Sequence, residues 1–250
     1  MIVLKTSREL SIMRKAGKIS QTALRLAGEA VEPGVSTWEI DKIVHDYIIK
    51  MGATPSFLHY NGFPASACIS VNDVVIHGIP HKRQLLRQGD IVSIDVGACY
   101  EGFHGDNAWT FPCGQIDPEA RALLDATEQA LYRGIEQARP GNRLGDIGHA
   151  VQAYAEARKY SVVRDFVGHG VGAKLHEDPS VPNYGTPGRG VRLQAGMTIA
   201  IEPMVNQGRH EIEVLKDGWT IMTKDHSLAA HFEHTVAITP DGPVVLTRLD

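Results

Sequence analysis

The chain has 250 residues, 43% hydrophobic and 22% charged, ordinary proportions for a globular protein long enough to bury a core without staples. Its formal net charge of −4 offers no basic surface to nucleic acid or to an anionic membrane. Cys68, Cys99 and Cys113 form no CxxC pair, which excludes a disulfide framework and a cysteine zinc site and fits a reducing cytoplasm.

Lys5, Arg8 and Glu9 interrupt any early apolar run, so no signal peptide is expected. No stretch of about 20 apolar residues is present to span a bilayer. Thr6 and Glu9 frame a capping box, which predicts a helix to about Gly28. Ser36 and Glu39 frame a second. After it Ile40, Ile43, Val44, Tyr47, Ile48 and Met51 recur at helical spacing, and Gly52 ends that helix. Residues 67–75 and 90–99 are rich in β-branched side chains and read as strands. Asp117 caps a third helix with Pro118 in its first turn, running to about Ala138. Pro140-Gly141 breaks the chain before a fourth helix that ends near Lys159. Beyond it strands alternate with glycine-rich loops.

Two segments repeat. "LRQGDIVSID" from Leu86 lies over "LQAGMTIAIE" from Leu193, an offset of 107 residues, and Pro33-Gly34 lies over Pro140-Gly141 at the same offset. This predicts one domain, 1–250, made of duplicated halves of about 1–115 and 116–250 with a pseudo-two-fold axis. Each repeated strand ends on a carboxylate, Asp95 or Glu202, and a pseudo-dyad brings both to one site.

Strand alternation sharpens that expectation. Val92, Ile94 and Val96 oppose Ser93, Asp95 and Gly97. Asn107, Trp109 and Phe111 oppose Asp106, Ala108 and Thr110. Ile199 and Ile201 oppose Ala200 and Glu202, and Phe232 and His234 oppose Glu233 and Thr235. One face is bulky and should pack on helices; the other is small and carries one acid per strand. A tight loop centred on Tyr100-Glu101 would set Asp95 directly opposite Asp106, roughly 5 Å apart at Cβ. Carboxylates that close resist joint ionisation unless a cation is bound. Four carboxylates and a histidine suit two ions roughly 3.5–4 Å apart with shared ligands. Mostly oxygen donors favour manganese or iron and admit cobalt or zinc.

His45, His59, His81, His149, His210 and His226 read as surface or helix-face residues, and His104 shares the acid face. His231 aligns with Glu233 while His234 opposes it, neither with a clear partner. His77, in "VVIHGIP", fits a structural role as well as a functional one. His169 and His176, in "FVGHGVGAKLHEDP", read as part of a loop joining the two halves, among glycines that let the backbone approach a site closely. Tyr60, Phe63 and Trp219 fit core packing and an apolar pocket alike.

In order and spacing, Asp95, Asp106, His169, Glu202 and Glu233 resemble the dinuclear ligands of methionine aminopeptidases of the type I, bacterial kind. "VVIHGIP", "GDIVSIDVG", "GFHGDNAWTF", "GHGVGAKLHEDP", "GMTIAIEPMV" and "HFEHT" support the resemblance along nearly the whole chain. It implies an α+β pita-bread fold: related halves, helices outside, and a curved antiparallel sheet cupping two divalent ions (cobalt, manganese, iron or zinc). It implies that Asp106 and Glu233 bridge the ions, that Asp95 chelates one, and that His169 and Glu202 complete the other. The implied reaction removes the initiator methionine from nascent chains whose second residue is small, by attack of an activated water on the peptide carbonyl. Glu202 then shuttles the proton, and His77 and His176 contact the substrate. Tyr60, Phe63, Cys68 and Trp219 form the methionine pocket, with Phe57, Asn61 and Leu175 departing from related bacterial enzymes at its rim. A cytoplasmic monomer in transient contact with the ribosome completes the expectation. Prolidase and aminopeptidase P share fold and ligands but normally add an N-terminal domain. A creatinase-like hydrolase needs no metal, and binding-only relatives typically lose ligands.

Overall fold

The computed structural model describes residues 1–248. Its helices are α1 (Ser7–Glu29), α2 (Thr37–Lys50), α3 (Pro118–Gln137) and α4 (Leu144–Glu156). The first strands are β1 (Thr54–Pro55), β2 (Ala67–Val71), β3 (Val74–Ile76), β4 (Ile91–Tyr100) and β5 (Phe103–Pro112). After α4 come β6 (Ser161–Val162), β7 (Gly168–Gly170), β8 (Glu177–Val181), β9 (Thr198–Ile201) and β10 (Met204–Asn206). Last are β11 (Ile212–Val214), β12 (Ile221–Thr223), β13 (Ala229–His231), β14 (His234–Thr239) and β15 (Gly242–Val245). One sheet pairs β4 with β1, β2 and β5; another runs β15-β14-β9-β7-β8, and two three-stranded sheets run β13-β10-β6 and β11-β12-β3.

Local chemistry sets the helix starts. The Thr6 hydroxyl accepts from the Glu9 N–H at 3.3 Å, and the Glu9 carboxylate accepts from the Thr6 N–H at 2.7 Å. Ser36 and Glu39 repeat the exchange at 3.3 and 2.8 Å. Asp117 accepts from the Glu119 N–H at 2.8 Å, ahead of Pro118 in the first turn. Each such cap contributes about 1 kcal/mol. Helix α4 stops at Glu156, short of the expected Lys159, which takes φ 67° instead.

The expected strand over 67–75 is two strands. Asn72 turns the chain at φ 57°. Its side chain is fixed by the Ile91 N–H at 3.0 Å and by Asp90 at 2.8 Å, so β2 joins β4 while β3 crosses to β12.

The β4–β5 hairpin also differs. Asp95 pairs with Ala108, and Asp106 with Gly97. The turn is Glu101-Gly102, with φ 48° and 79°, the paired positive values of a hairpin turn that matches strand twist. Register therefore shifts by two residues. An even shift preserves the face, so both acids still point the same way, as diagonal neighbours instead of an opposed pair.

The bulky faces pack as the alternation requires. Val92, Ile94 and Val96 meet Leu24 of α1 and Ile40, Val44 and Ile48 of α2. Ile199 and Ile201 meet Leu123 and Leu131 of α3 and Ile147 and Val151 of α4. Each such side chain contributes roughly 1.5–3 kcal/mol on burial. Gly105 lets α1 lie against β5, because a Cβ there would sit 2.5 Å from the Gly17 nitrogen.

The 107-residue offset recurs in the contacts. Ser36 bridges to Leu85 and Arg143 to Arg192. The Gly34 N–H donates to the Leu86 carbonyl at 2.8 Å, and the Gly141 N–H to that of Leu193 at 3.1 Å. Gly34 and Gly141 take φ 94° and 95°, a conformation that suits glycine.

A seam joins β5 to residues 231–235. The Thr235 hydroxyl donates to the Asp106 carbonyl at 2.8 Å and accepts from the Asp106 N–H at 3.0 Å. The Glu233 N–H donates to the Ala108 carbonyl at 2.8 Å. The Thr110 hydroxyl donates to the His231 carbonyl and accepts from the His231 N–H, both at 2.9 Å. Ala108 therefore sits between Asp95 on β4 and Glu233 across the seam, and its lone methyl leaves room between the two acids.

Candidate active site

Every residue singled out by the sequence as ligand, catalyst or pocket wall lines one cavity of about 430 Å³. At its base stand Asp95 on β4, Asp106 on β5, Glu202 just beyond β9, and Glu233 between β13 and β14. His169 completes the group from β7, a strand inside the five-stranded sheet. That corrects the expectation of a loop between the halves: the segment is a strand, and it lies within the second half. Its three residues, two of them glycine, carry no strand pattern.

His169 Nε2 lies 3.5 Å from Glu202 Oε1 and 3.8 Å from Asp106 Oδ2. His169 Nδ1 lies 2.9 Å from the Gly170 carbonyl. With Nδ1–H donating there, Nε2 presents its lone pair to the acids, the arrangement usual for a metal-binding histidine. One ligand atom each from Asp106, His169 and Glu233 falls within 4.8 Å of the others.

Burial governs the electrostatics. It raises Asp95, Glu202 and Glu233 well above the usual carboxylate range, and the Asp106 charge adds to the rise in each. Burial also lifts Asp106, to about 7, against the Asn107 N–H that favours its charged form. The same desolvation drops His169 to about 3, with His176 contributing, and keeps its imidazole neutral. Asp95 Oδ1, Asp106 Oδ1 and Glu233 Oε1 are buried without a hydrogen-bond partner among the described residues. Orphaned buried oxygens of this kind are costly. Four carboxylates facing an imidazole lone pair fit divalent cations, which would satisfy all of them at once.

Above the acids, His176 Nδ1 lies 2.9 Å from the Tyr60 hydroxyl, and the two rings stack at 5.2 Å. The His169 and His176 rings are 4.0 Å apart. His77 stands edge-on to Phe166 at 5.8 Å and to Trp219 at 6.2 Å. Burial, then His176, lowers it to about 4. Phe57, Phe63, Cys68 and Leu175 form a buried apolar cluster with Tyr60 and Trp219 against it. Burial, followed by Asp95, pushes the Cys68 thiol well up and keeps it neutral.

His104 shares the acid face but is not brought to the acids; its Nδ1 pairs with the Ser56 hydroxyl at 2.8 Å. His234 points the opposite way, as its parity requires, to Thr247 at 2.9 Å. The sequence gives no signal for Asp165, Phe166 and Val167, which line the cavity from the turn before β7. It places His231 on the correct face with nothing opposite; the structure sets Glu202 Oε2 3.7 Å from its Nε2.

Carboxylates and an imidazole converging under an apolar cavity are a donor set that fits the class of metal-dependent hydrolases. The model of metallopeptidase family M24 matches residues 11–240, and the chain belongs to that family. The methionine aminopeptidase of Clostridium perfringens is 56% identical and methionine aminopeptidase 1 of Bacillus subtilis 52% identical, each over 100% of both chains. The crystal structure of methionine aminopeptidase from Thermotoga maritima matches with a TM-score of 0.98 at 46% identity, covering 100% of both chains. Prolidase from Pyrococcus horikoshii matches with a TM-score of 0.78 at 24% identity, covering 100% of this chain and 65% of that one, a likeness of fold alone. The expected α+β pita-bread fold is the fold shared with these neighbours. No helix among the described residues is long and apolar enough to cross a membrane.

Proposed function

We propose that the chain is a methionyl aminopeptidase that removes the initiator methionine from nascent polypeptides whose second residue is small. The carrying observation is one cavity in which an aromatic and sulfur-lined pocket opens directly onto the four acids and His169. Such a lining suits the polarisable, unbranched methionine side chain. The high identity to enzymes named methionine aminopeptidase supports the reading.

Asp95, Asp106, His169, Glu202 and Glu233 would hold two divalent ions, cobalt, manganese, iron or zinc. Bound ions would supply Lewis-acid polarisation of the scissile carbonyl and a water acidic enough to ionise near neutral pH. Glu202 takes the proton of the attacking water and passes it to the leaving amine. Its buried, raised carboxyl is suited to hold a proton between those steps. With the Tyr60 hydroxyl donating to Nδ1, His176 carries its proton on Nε2 and offers it to the scissile amide oxygen. His77 reaches the same region as a neutral donor. Tyr60, Phe63, Cys68 and Trp219 receive the methionine side chain and exclude water from it.

Assay of the purified protein with added divalent ion should give faster cleavage of Met-Ala-Ser than of any Xaa-Pro peptide. The reverse order would make the chain a proline-specific peptidase, and activity surviving exhaustive chelation would make it creatinase-like.

Metal binding should also be proton-linked. Asp106, raised to about 7, is largely protonated below that pH, and the ion binds the ionised form. Affinity therefore falls as pH drops through 7, and each ion bound expels protons. His169, lowered to about 3, adds no competing proton above about pH 5. A pH-stat titration of metal-free protein with Mn²⁺ measures this directly; an affinity unchanged from pH 6 to 8 would contradict it.

A further inference from the structure

His231 lies outside the five donors, yet it has their depth and their face. It is 2% exposed. The Thr110 hydroxyl clamps its backbone from both sides, and its partner in the β10–β13 pair is Met204. Its Nε2 is buried with no hydrogen-bond partner among the described residues, and lies 3.7 Å from Glu202 Oε2.

That separation is too long for a hydrogen bond. It fits two donors that share an ion, since ligands each about 2.1 Å from one centre stand roughly 3–4 Å apart. The same spacing, 3.5 Å, separates Glu202 Oε1 from His169 Nε2, so each oxygen of Glu202 faces one imidazole. One ligand atom each from Glu202, His231 and Glu233 falls within 4.8 Å of the others, a second cluster beside that of Asp106, His169 and Glu233.

We propose that His231 is a further metal ligand, its Nε2 donating to a divalent ion held with Glu202 and Glu233 on the Oε2 side of Glu202. The proposal rests on the reading of those acids as metal ligands. A second imidazole in an oxygen-rich site also shifts selectivity, favouring cobalt and zinc over manganese.

The test loads metal-free protein with Co²⁺ and reads two quantities other than activity. One is Co²⁺ affinity by chelator competition. The other is the set of exchangeable, hyperfine-shifted imidazole N–H resonances in the proton NMR spectrum, one per coordinated histidine. The wild type should show two, from His169 and His231. His231→Gln keeps an N–H donor beside Glu202 but supplies a poor ligand; it should show one resonance and bind Co²⁺ at least about 10-fold more weakly. His231→Ala should behave alike. Wild-type affinity in His231→Gln would overturn the proposal and leave His231 as a hydrogen-bonding neighbour that orients Glu202. A single resonance in the fully loaded wild type overturns it whether or not any variant folds. Asp106→Ala separates the two layers. If Asp106→Ala loses Co²⁺ binding while both His231 variants keep it, only the inference fails. If Asp106→Ala binds as the wild type does, the underlying ligand assignment falls and the inference with it.

Discussion

Asp106→Ala should abolish tight divalent-ion binding, cut methionine release by at least about 10²–10³-fold, and raise the thermal midpoint of the metal-free protein. The first two effects follow from position. Asp106 is 3% exposed, its Oδ1 has no hydrogen-bond partner among the described residues, and it is one of the proposed donors grouped with His169 and Glu233. Losing one preorganised charged group at the reacting centre typically costs that much in rate. The third effect has the opposite sign. After burial itself, the Asp106 charge is what makes Asp95, Glu202 and Glu233 hard to ionise. Without metal that repulsion is uncompensated, so removing it relieves the folded state. A relief of about 1 kcal/mol moves the midpoint by about 2–4 °C in a protein of this size. The seam survives, because Thr235 binds the Asp106 backbone and not its side chain. Calorimetry with and without Mn²⁺ reads both signs: saturating ion should stabilise the wild type by about 2–3 kcal/mol at 100 times its Kd, and the variant hardly at all. Undiminished methionine release by Asp106→Ala would refute the mechanism.

Glu202→Gln should lower kcat by about 10²–10⁴-fold with little change in KM for Met-Ala-Ser. An amide cannot take up and return a proton, and general acid–base groups contribute on this scale. On the proposed reading KM follows the apolar pocket, where Phe63 and Trp219 stay in edge contact at 5.2 Å. The Glu202 backbone stays fixed by Asn183, whose amide donates to its carbonyl at 2.9 Å. Because Glu202 is also read as a ligand, the assay is run across a range of Mn²⁺. Full recovery of kcat at high Mn²⁺ would reduce Glu202 to a ligand and remove it as the proton carrier.

Much of this architecture is legible in the sequence, for identifiable reasons. Thr6 with Glu9, Ser36 with Glu39, and Asp117 before Pro118 mark helix starts because the bonds they make span only two or three residues. The acid-bearing faces are legible because side-chain direction in a strand depends on parity alone. Parity holds in the hairpin as well: a turn at Glu101-Gly102 changes which residues oppose each other but not which side they face. What depends on distant contacts is less visible. The break at Asn72 is enforced by Asp90 and the Ile91 N–H, on the neighbouring strand. His169 lies on a three-residue strand flanked by glycines, too short for any period. His231 has the correct parity, but the residue it faces, Glu202, is on a separate element, and no local pattern links them.

The recurrence of contacts 107 residues apart has a thermodynamic corollary. Asp95 and Asp106 lie in the first half of the chain, His169, Glu202 and Glu233 in the second, and the seam of Thr110, Ala108 and Asp106 with residues 231–235 is one of the places where the halves touch, the β3–β12 pair being another. On the proposed assignment, neither half alone would hold a complete donor set. An ion that needs both would be bound only while they are docked, so part of its binding free energy would appear as cohesion between them. The metal would then act as a clasp, and any opening of the seam would weaken its hold on the ion before either copy had unfolded.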